Sequence, residues 1–218
     1  YNAICGEHDE IYELLLKTGA YLDYRNRKGL MYIHMACKWG HNSVVNFLVE
    51  KRTPAVLNWR DSKGLTSVHH CCINKRPRTL SLVITNGADV NLVDTTYGRT
   101  PLHYVCKKNT HYEIVVMLLE NGAALERTDN SGTTPLSRAC CTLNNQIVQL
   151  LVQKGANCNS CTNDGRTPLH HASVQGLNWI IKFLIENGAE INIPDKSGRT
   201  PLNYAIANNH HDAIEILT

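Results

Sequence analysis

The chain has 218 residues, 22 Lys or Arg against 19 Asp or Glu, a net charge of +3 and 43% hydrophobic residues. Its length alone would accommodate one large or two small globular domains. No apolar run is long enough to span a bilayer as a helix, since Ile114 to Leu119, among the longest, stops at Glu120.

In chain order, Tyr1 enters where a first helix is already under way, and that segment closes on Gly19-Ala20. A second unit opens at Gly29 with Met31-Tyr32-Ile33-His34 and runs through Phe47-Leu48-Val49. Its ending is irregular, because Glu50 to Leu57 stands where a Gly-Ala pair closes other units, and Trp59-Arg60-Asp61 then leads back into Gly64. An altered loop is therefore expected here, not a lost unit. The third unit carries Thr66-Ser67-Val68-His69, and Asn74-Lys75-Arg76-Pro77-Arg78 replaces its inter-helix turn. The fourth unit is the clearest. Gly98 suits a turn at positive φ, Thr100 caps a helix and Pro101 takes its first position, where a missing N–H is harmless. Leu102, Val105 and Cys106 fall on the inner face of that helix. After a break at Lys108-Asn109-Thr110, a second helix carries Ile114, Val115, Leu118 and Leu119 and ends at Gly122, which fits a left-handed C-terminal position. Gly132, Gly165 and Gly198 open three more units, and the last stops at Thr218 within its second helix.

The glycines at 29, 64, 98, 132, 165 and 198 are spaced by 35, 34, 34, 33 and 33 residues. With Gly-Arg-Thr-Pro-Leu-His at 98–103 and 165–170, and Gly-Arg-Thr-Pro-Leu-Asn at 198–203, the chain resembles the ankyrin-repeat family. The resemblance implies an all-α solenoid of stacked helix-turn-helix units joined by hairpin loops. It divides the chain into repeats at 1–26, 27–61, 62–95, 96–129, 130–162, 163–195 and 196–218, with the first and last incomplete. Neither end shows a polar cap, so the chain is expected to be a segment of a longer protein. Where Thr-Pro is lost, after Gly29 and Gly64, the helices are expected to begin less rigidly.

The repeat register gives the conspicuous residues structural roles. Cys37, Cys72, Cys106 and Cys140 each lie eight residues after their glycine, a slot where the family places a small buried residue. Repeats stack about 10 Å apart, too far for these four to form disulfides with one another, and a reducing compartment, cytosol or nucleus, is expected. His34, His69, His103 and His170 share the slot that the family uses for hydrogen bonds between loops. Cys158-x-x-Cys161 lacks a second ligand pair and a helix N-terminus, so it is expected to bind no metal and do no redox work. No phosphate loop, nucleophile elbow or zinc-protease motif occurs, and neither catalytic residues nor a cofactor are expected.

The function implied by the resemblance is protein binding without catalysis. The family's variable positions are one and two before each glycine, one after, and nine and ten after. Residues 21–112 hold 14 Lys or Arg against 5 Asp or Glu, a balance of +9, whereas the rest of the chain balances at −6. The concave surface of the N-terminal half is therefore expected to bind an acidic or extended partner segment. The candidate contacts are Arg27, Lys28, Leu30, Lys38, Trp39, Lys63, Leu65, Asn74, Tyr97, Arg99, Lys107 and Lys108, with Trp39 or Tyr97 as anchor. Two alternatives are a targeting segment of a larger enzyme or channel, and binding of anionic lipid or nucleic acid by the same basic stripe. The isolated segment is expected to be monomeric. The resemblance also marks Asn192, after Leu184 and Glu190-Ile191, as a candidate for asparaginyl hydroxylation, and Asn91 as a poorer one.

Overall fold

The computed structural model describes residues 25–26, 29–51, 54–107 and 112–218. The first repeat up to residue 24 and the break at Lys108-Asn109-Thr110 lie outside the described residues, as do Arg27, Lys28 and Lys108. Among the described residues there are twelve α-helices, one 3-10 turn and no strand. In chain order these are α1 (Tyr32–Trp39), α2 (Asn42–Lys51), the 3-10 turn Pro54–Asn58, α3 (Ser67–Ile73) and α4 (Pro77–Thr85). They continue as α5 (Pro101–Val105), α6 (Tyr112–Glu120), α7 (Pro135–Ala139), α8 (Asn145–Gln153), α9 (Pro168–Val174), α10 (Asn178–Glu186), α11 (Pro201–Ala207) and α12 (His211–Leu217). Helices of five to ten residues do not persist alone in water, so their stability comes from packing.

The chain sorts into two compact units, one of residues 1–105 with 116–123 and one of 106–115 with 124–218. In the first, α1 packs on α3 and α3 on α5, while α2 packs on α4 behind them. In the second, α7, α9 and α11 form one layer, and α8, α10 and α12 form the other. The sequence pattern accounts for these layers. Leu80 and Val83 of α4, and Ile147, Val148 and Leu151 of α8, recur at helical spacing and are buried.

The loops show why the repeated phrase has its composition. Asp61 Oδ1 accepts the amides of Lys63 and Leu65 at 2.8 and 2.9 Å, and Asp195 Oδ1 accepts those of Ser197 and Arg199 at 2.8 and 2.9 Å. Gly64 then turns the chain at φ +76, where a Cβ would lie 2.5 Å from the amide nitrogen of Thr95 in the next loop. Only glycine serves both the left-handed conformation and this approach. The contact is continued by the Thr95 amide, which donates to the Lys63 carbonyl at 2.9 Å. In the second unit the Asn163 amide donates to Ser131 and the Lys196 amide to Asp164, both at 2.9 Å.

The repeated histidines join loops, as the resemblance implies. The Met31 amide donates to His34 Nδ1 at 3.1 Å, which leaves Nε2 to donate to the Trp59 carbonyl at 2.9 Å. His69 repeats this with Thr66 and the Arg99 carbonyl, and His170 with Thr167 and the Arg199 carbonyl. The bonds need a neutral ring. Burial supplies it by pushing the His34 and His69 imidazoles down to about 4.

The weakened phrases keep this bond and add others. Ser67 occupies the slot that holds proline in later repeats, and its hydroxyl donates to the Leu57 carbonyl at 2.7 Å. That carbonyl belongs to the 3-10 turn, which replaces the usual Gly-Ala ending and buries Val56 and Leu57. The irregular third turn places Lys75 at φ +56 and starts α4 on Pro77, while Arg76 Nε donates to the Lys38 carbonyl at 3.2 Å. The eight described cysteines are free thiols, and the four in the register slot are buried. Cys71 precedes that slot by one residue, and burial first, then the neighbouring Cys37 thiol, push its thiol up. A slot thiol and a neighbour of the slot thus come together across adjacent repeats.

Candidate functional site

Turns and first helices of adjacent repeats in the first unit enclose an open cavity of about 590 Å³. Leu30 and Leu65, each one residue after its glycine, supply apolar wall, and Ile73 at the end of α3 supplies more. Lys38, Ser62, Lys63, Asn74, Asp61 and His70 complete the lining.

The polar groups at the back of this cavity are engaged within the protein. Asp61 Oδ2 accepts His70 Nε2 at 3.1 Å, and Oδ1 is held by two loop amides. Burial would raise the Asp61 carboxyl, but the bonds from His70 and the Leu65 and Lys63 amides outweigh it and bring it below the ordinary value. The Asn74 side-chain amide donates to the His70 carbonyl at 2.8 Å. His70 packs 5.3 Å from the buried His34 ring, so its imidazole is fixed from both sides. The exposed Lys63 and half-buried Lys38 leave positive charge at the rim.

Of the residues selected from sequence, the structure gathers Leu30, Lys38, Lys63, Leu65 and Asn74 around the cavity. Trp39, Tyr97, Arg99 and Lys107 lie outside its lining. Trp39 is 40% exposed, with the Lys38 ammonium 5.1 Å from its ring centroid. Tyr97 is 51% exposed, with the Arg99 guanidinium 4.4 Å over its ring. Asp61 and His70 were absent from the sequence selection. The signal for them is an acidic loop residue followed nine or ten positions later by a hydrogen-bonding side chain. It recurs as Asp94 with Tyr104 at 3.1 Å and Asp195 with Tyr204 at 2.6 Å.

The equivalent place in the second unit has different chemistry. Arg166 and Arg199 stand where Leu30 and Leu65 stand, one residue after their glycines. Their guanidiniums lie 5.0 and 5.3 Å from the centroid of the Tyr204 ring. The hydrogen bond from Tyr204, followed by the Arg199 amide, holds the Asp195 carboxyl down at about 2.

Asn91 donates its side-chain amide to the Gly122 carbonyl at 2.9 Å, and Asn159 does the same to Gly188. Asn192 is exposed. Cys158 is buried and Cys161 exposed. Among the described residues no group of three or more His, Cys, Asp or Glu could hold a metal ion, and no helix is long and apolar enough to cross a membrane.

Among characterised proteins, the chain is similar to the nuclear factor NF-kappa-B p105 subunit of Gallus gallus, at 28% identity over 135 residues. That match covers 62% of this chain and 14% of the relative. The Mus musculus nuclear factor NF-kappa-B p105 subunit is 30% identical over 122 residues, 55% of this chain and 12% of the relative. The chain thus spans a small part of these curated relatives. The family model described as ankyrin repeats (3 copies) matches residues 1–94, 68–161, 126–195 and 143–218. With stacked helix pairs, glycine-anchored loops and matches that reach both ends, the chain belongs to the ankyrin-repeat family, whose repeats mediate protein–protein interaction and are typically non-catalytic.

Proposed function

We propose that this chain is a non-catalytic protein-recognition module whose loop and first-helix surface, in the repeats assigned to 27–61 and 62–95, binds an acidic or extended segment of a partner protein. The observation that carries this reading is the cavity between these repeats, with Leu30, Leu65 and Ile73 as apolar wall and Lys38 and Lys63 at its rim. The +9 balance of residues 21–112 adds a field that attracts acidic partners and speeds their encounter. Arg27, Lys28, Asn74, Tyr97, Arg99, Lys107 and Lys108 extend the proposed surface, and Trp39 remains a candidate anchor. Pull-down of acidic partners by the 218-residue chain and by a Lys38→Glu/Lys63→Glu chain tests the reading. Loss of capture in the variant supports it, and equal capture by both chains rejects it.

A second reading is favoured by one observation: the matched relatives are much longer than the region this chain resembles. On that reading the chain is the partner-binding or targeting part of a longer protein whose other activities lie elsewhere. Residence in cytosol or nucleus is supported by the eight free thiols among the described residues and by the name of the relatives as nuclear factors. Asparaginyl hydroxylation is proposed at Asn192, which is exposed, ahead of Asn91, whose amide is engaged with Gly122. Intact mass of cell-derived protein, lacking the addition of one oxygen atom, would exclude it.

A further inference from the structure

We infer that the cavity of the first unit is the seat of a single apolar side chain, leucine or one of similar size, carried on an extended peptide with carboxylates on either side of it. The inference rests on the partner-recognition reading above and adds the chemistry of what enters.

Two observations fix the occupant. The first is that the Asp61 carboxylate, the His70 ring and an Asn74 amide N–H are already bonded within the protein. Asp61 holds His70 and two loop amides, and Asn74 donates to the His70 carbonyl. A polar side chain inserted there would give up its water and find the Asp61 carboxylate and the His70 ring already bonded, whereas an apolar one gains contact with Leu30, Leu65 and Ile73. The second is the charge at the mouth. Lys38 and Lys63 come from adjacent repeats and line the same cavity. The one carboxylate of the lining, Asp61, is held within the protein by three N–H donors. Carboxylates flanking the inserted side chain meet these ammoniums, and a peptide with flanking lysines is repelled.

The cavity volume, about 590 Å³, lies within the range of about 300–1,000 Å³ usual for ligand sites. It is open to solvent, so a side chain can enter while its backbone stays outside.

The test uses the 218-residue chain, labelled at Leu and Ile methyls, and three terminally blocked peptides. One is Asp-Glu-Leu-Glu-Asp, one has the central Leu replaced by Ala, and one is Lys-Lys-Leu-Lys-Lys. The expected result is that the acidic Leu peptide shifts the methyl signals of Leu30, Leu65 and Ile73 and binds about tenfold tighter than the Ala peptide, as removal of a buried anchor predicts. The Lys-flanked peptide should be rejected by the native chain and gain affinity for Lys63→Glu, an exposed change that spares the fold. Leu65→Arg, which installs the residue found at the corresponding slot of three later repeats, should abolish the methyl shifts.

Equal binding of the Leu and Ala peptides, still weakened by Lys63→Glu, would overturn the apolar seat and leave the acidic-segment reading standing. Binding of the Lys-flanked peptide to the native chain with the same methyl shifts would overturn that reading too. An absence of methyl shifts with any peptide at millimolar concentration rejects the proposed occupant.

Discussion

The first and second units use one loop scaffold for different ends. In both, an acidic loop residue is tied to the first helix, Asp61 to His70 and Asp195 to Tyr204. In the first unit the slots after Gly29 and Gly64 hold Leu30 and Leu65, and a cavity opens between these two repeats. In the second unit the slots after Gly165 and Gly198 hold Arg166 and Arg199, whose guanidiniums lie 5.0 and 5.3 Å from the centroid of the Tyr204 ring. Scaffold geometry therefore does not make the cavity. The side chains at two repeat positions do, and the difference teaches that recognition here is written on a fixed frame.

The comparison can be broken at its frame first. Folding depresses the His34, His69 and His171 imidazoles to about 4, with burial the leading cause in each. Their neutral forms stabilise the fold fully above the unfolded value near 6.5. That contribution should be lost as pH falls toward 4, at about 1.4 kcal/mol per pH unit for each histidine. Denaturant titrations at pH 7, 6, 5 and 4 measure this, and His69→Gln should flatten the profile. A stability unchanged from pH 7 to 5 would remove the neutral histidine bonds from the account.

Next come the cores. Leu80→Ala in the first unit and Leu151→Ala in the second each delete a fully buried leucine and should cost about 2–5 kcal/mol. Urea unfolding of both variants decides whether the open cavity accompanies a looser core. A loss far below this range for Leu80→Ala alone would mean that it does.

Gly64→Ala and Gly198→Ala probe the same repeat position. Both glycines have positive φ, but an added Cβ would strike Thr95 at Gly64 and meets nothing within 4 Å at Gly198. The left-handed conformation alone costs about 1–2 kcal/mol, so Gly198→Ala should lose that amount and Gly64→Ala clearly more. Equal midpoint shifts in thermal melts would argue against the close approach of loops. The smallest effect is expected from Tyr204→Phe, which removes one bond to Asp195 and leaves the ring in place. Its chemical signature is a rise in the Asp195 carboxyl from about 2, followed by carboxyl NMR during acid titration.

Much of the frame is legible without coordinates. The glycine spacing marks the loops, and threonine with proline marks helix starts such as Thr134-Pro135 and Thr167-Pro168. The histidine slot gives the bonds between loops. Five members of the candidate site could also be selected, because Leu30, Lys38, Lys63, Leu65 and Asn74 sit at positions defined by their distance from a glycine. Asp61 and His70 were less visible, since their pairing depends on the turn folding back against the first helix. Composition draws attention to Trp39 and Tyr97, yet each is occupied by a neighbouring cation and neither lines the cavity. Ser67 bonding the 3-10 turn was equally hidden, because that turn is an irregularity with no counterpart among the other described repeats.

The close approach of Gly64 to the next loop has a metrical consequence. Side chains carried on neighbouring loops are set apart by a backbone contact that admits no Cβ, so substitutions at the tips alter what is displayed and not the interval between displays. The first unit behaves as a ruler whose graduations are loop tips. A peptide that reads two of them must match that interval with its own rise per residue, and inserting one residue between its two contacts should cost more than changing either contact.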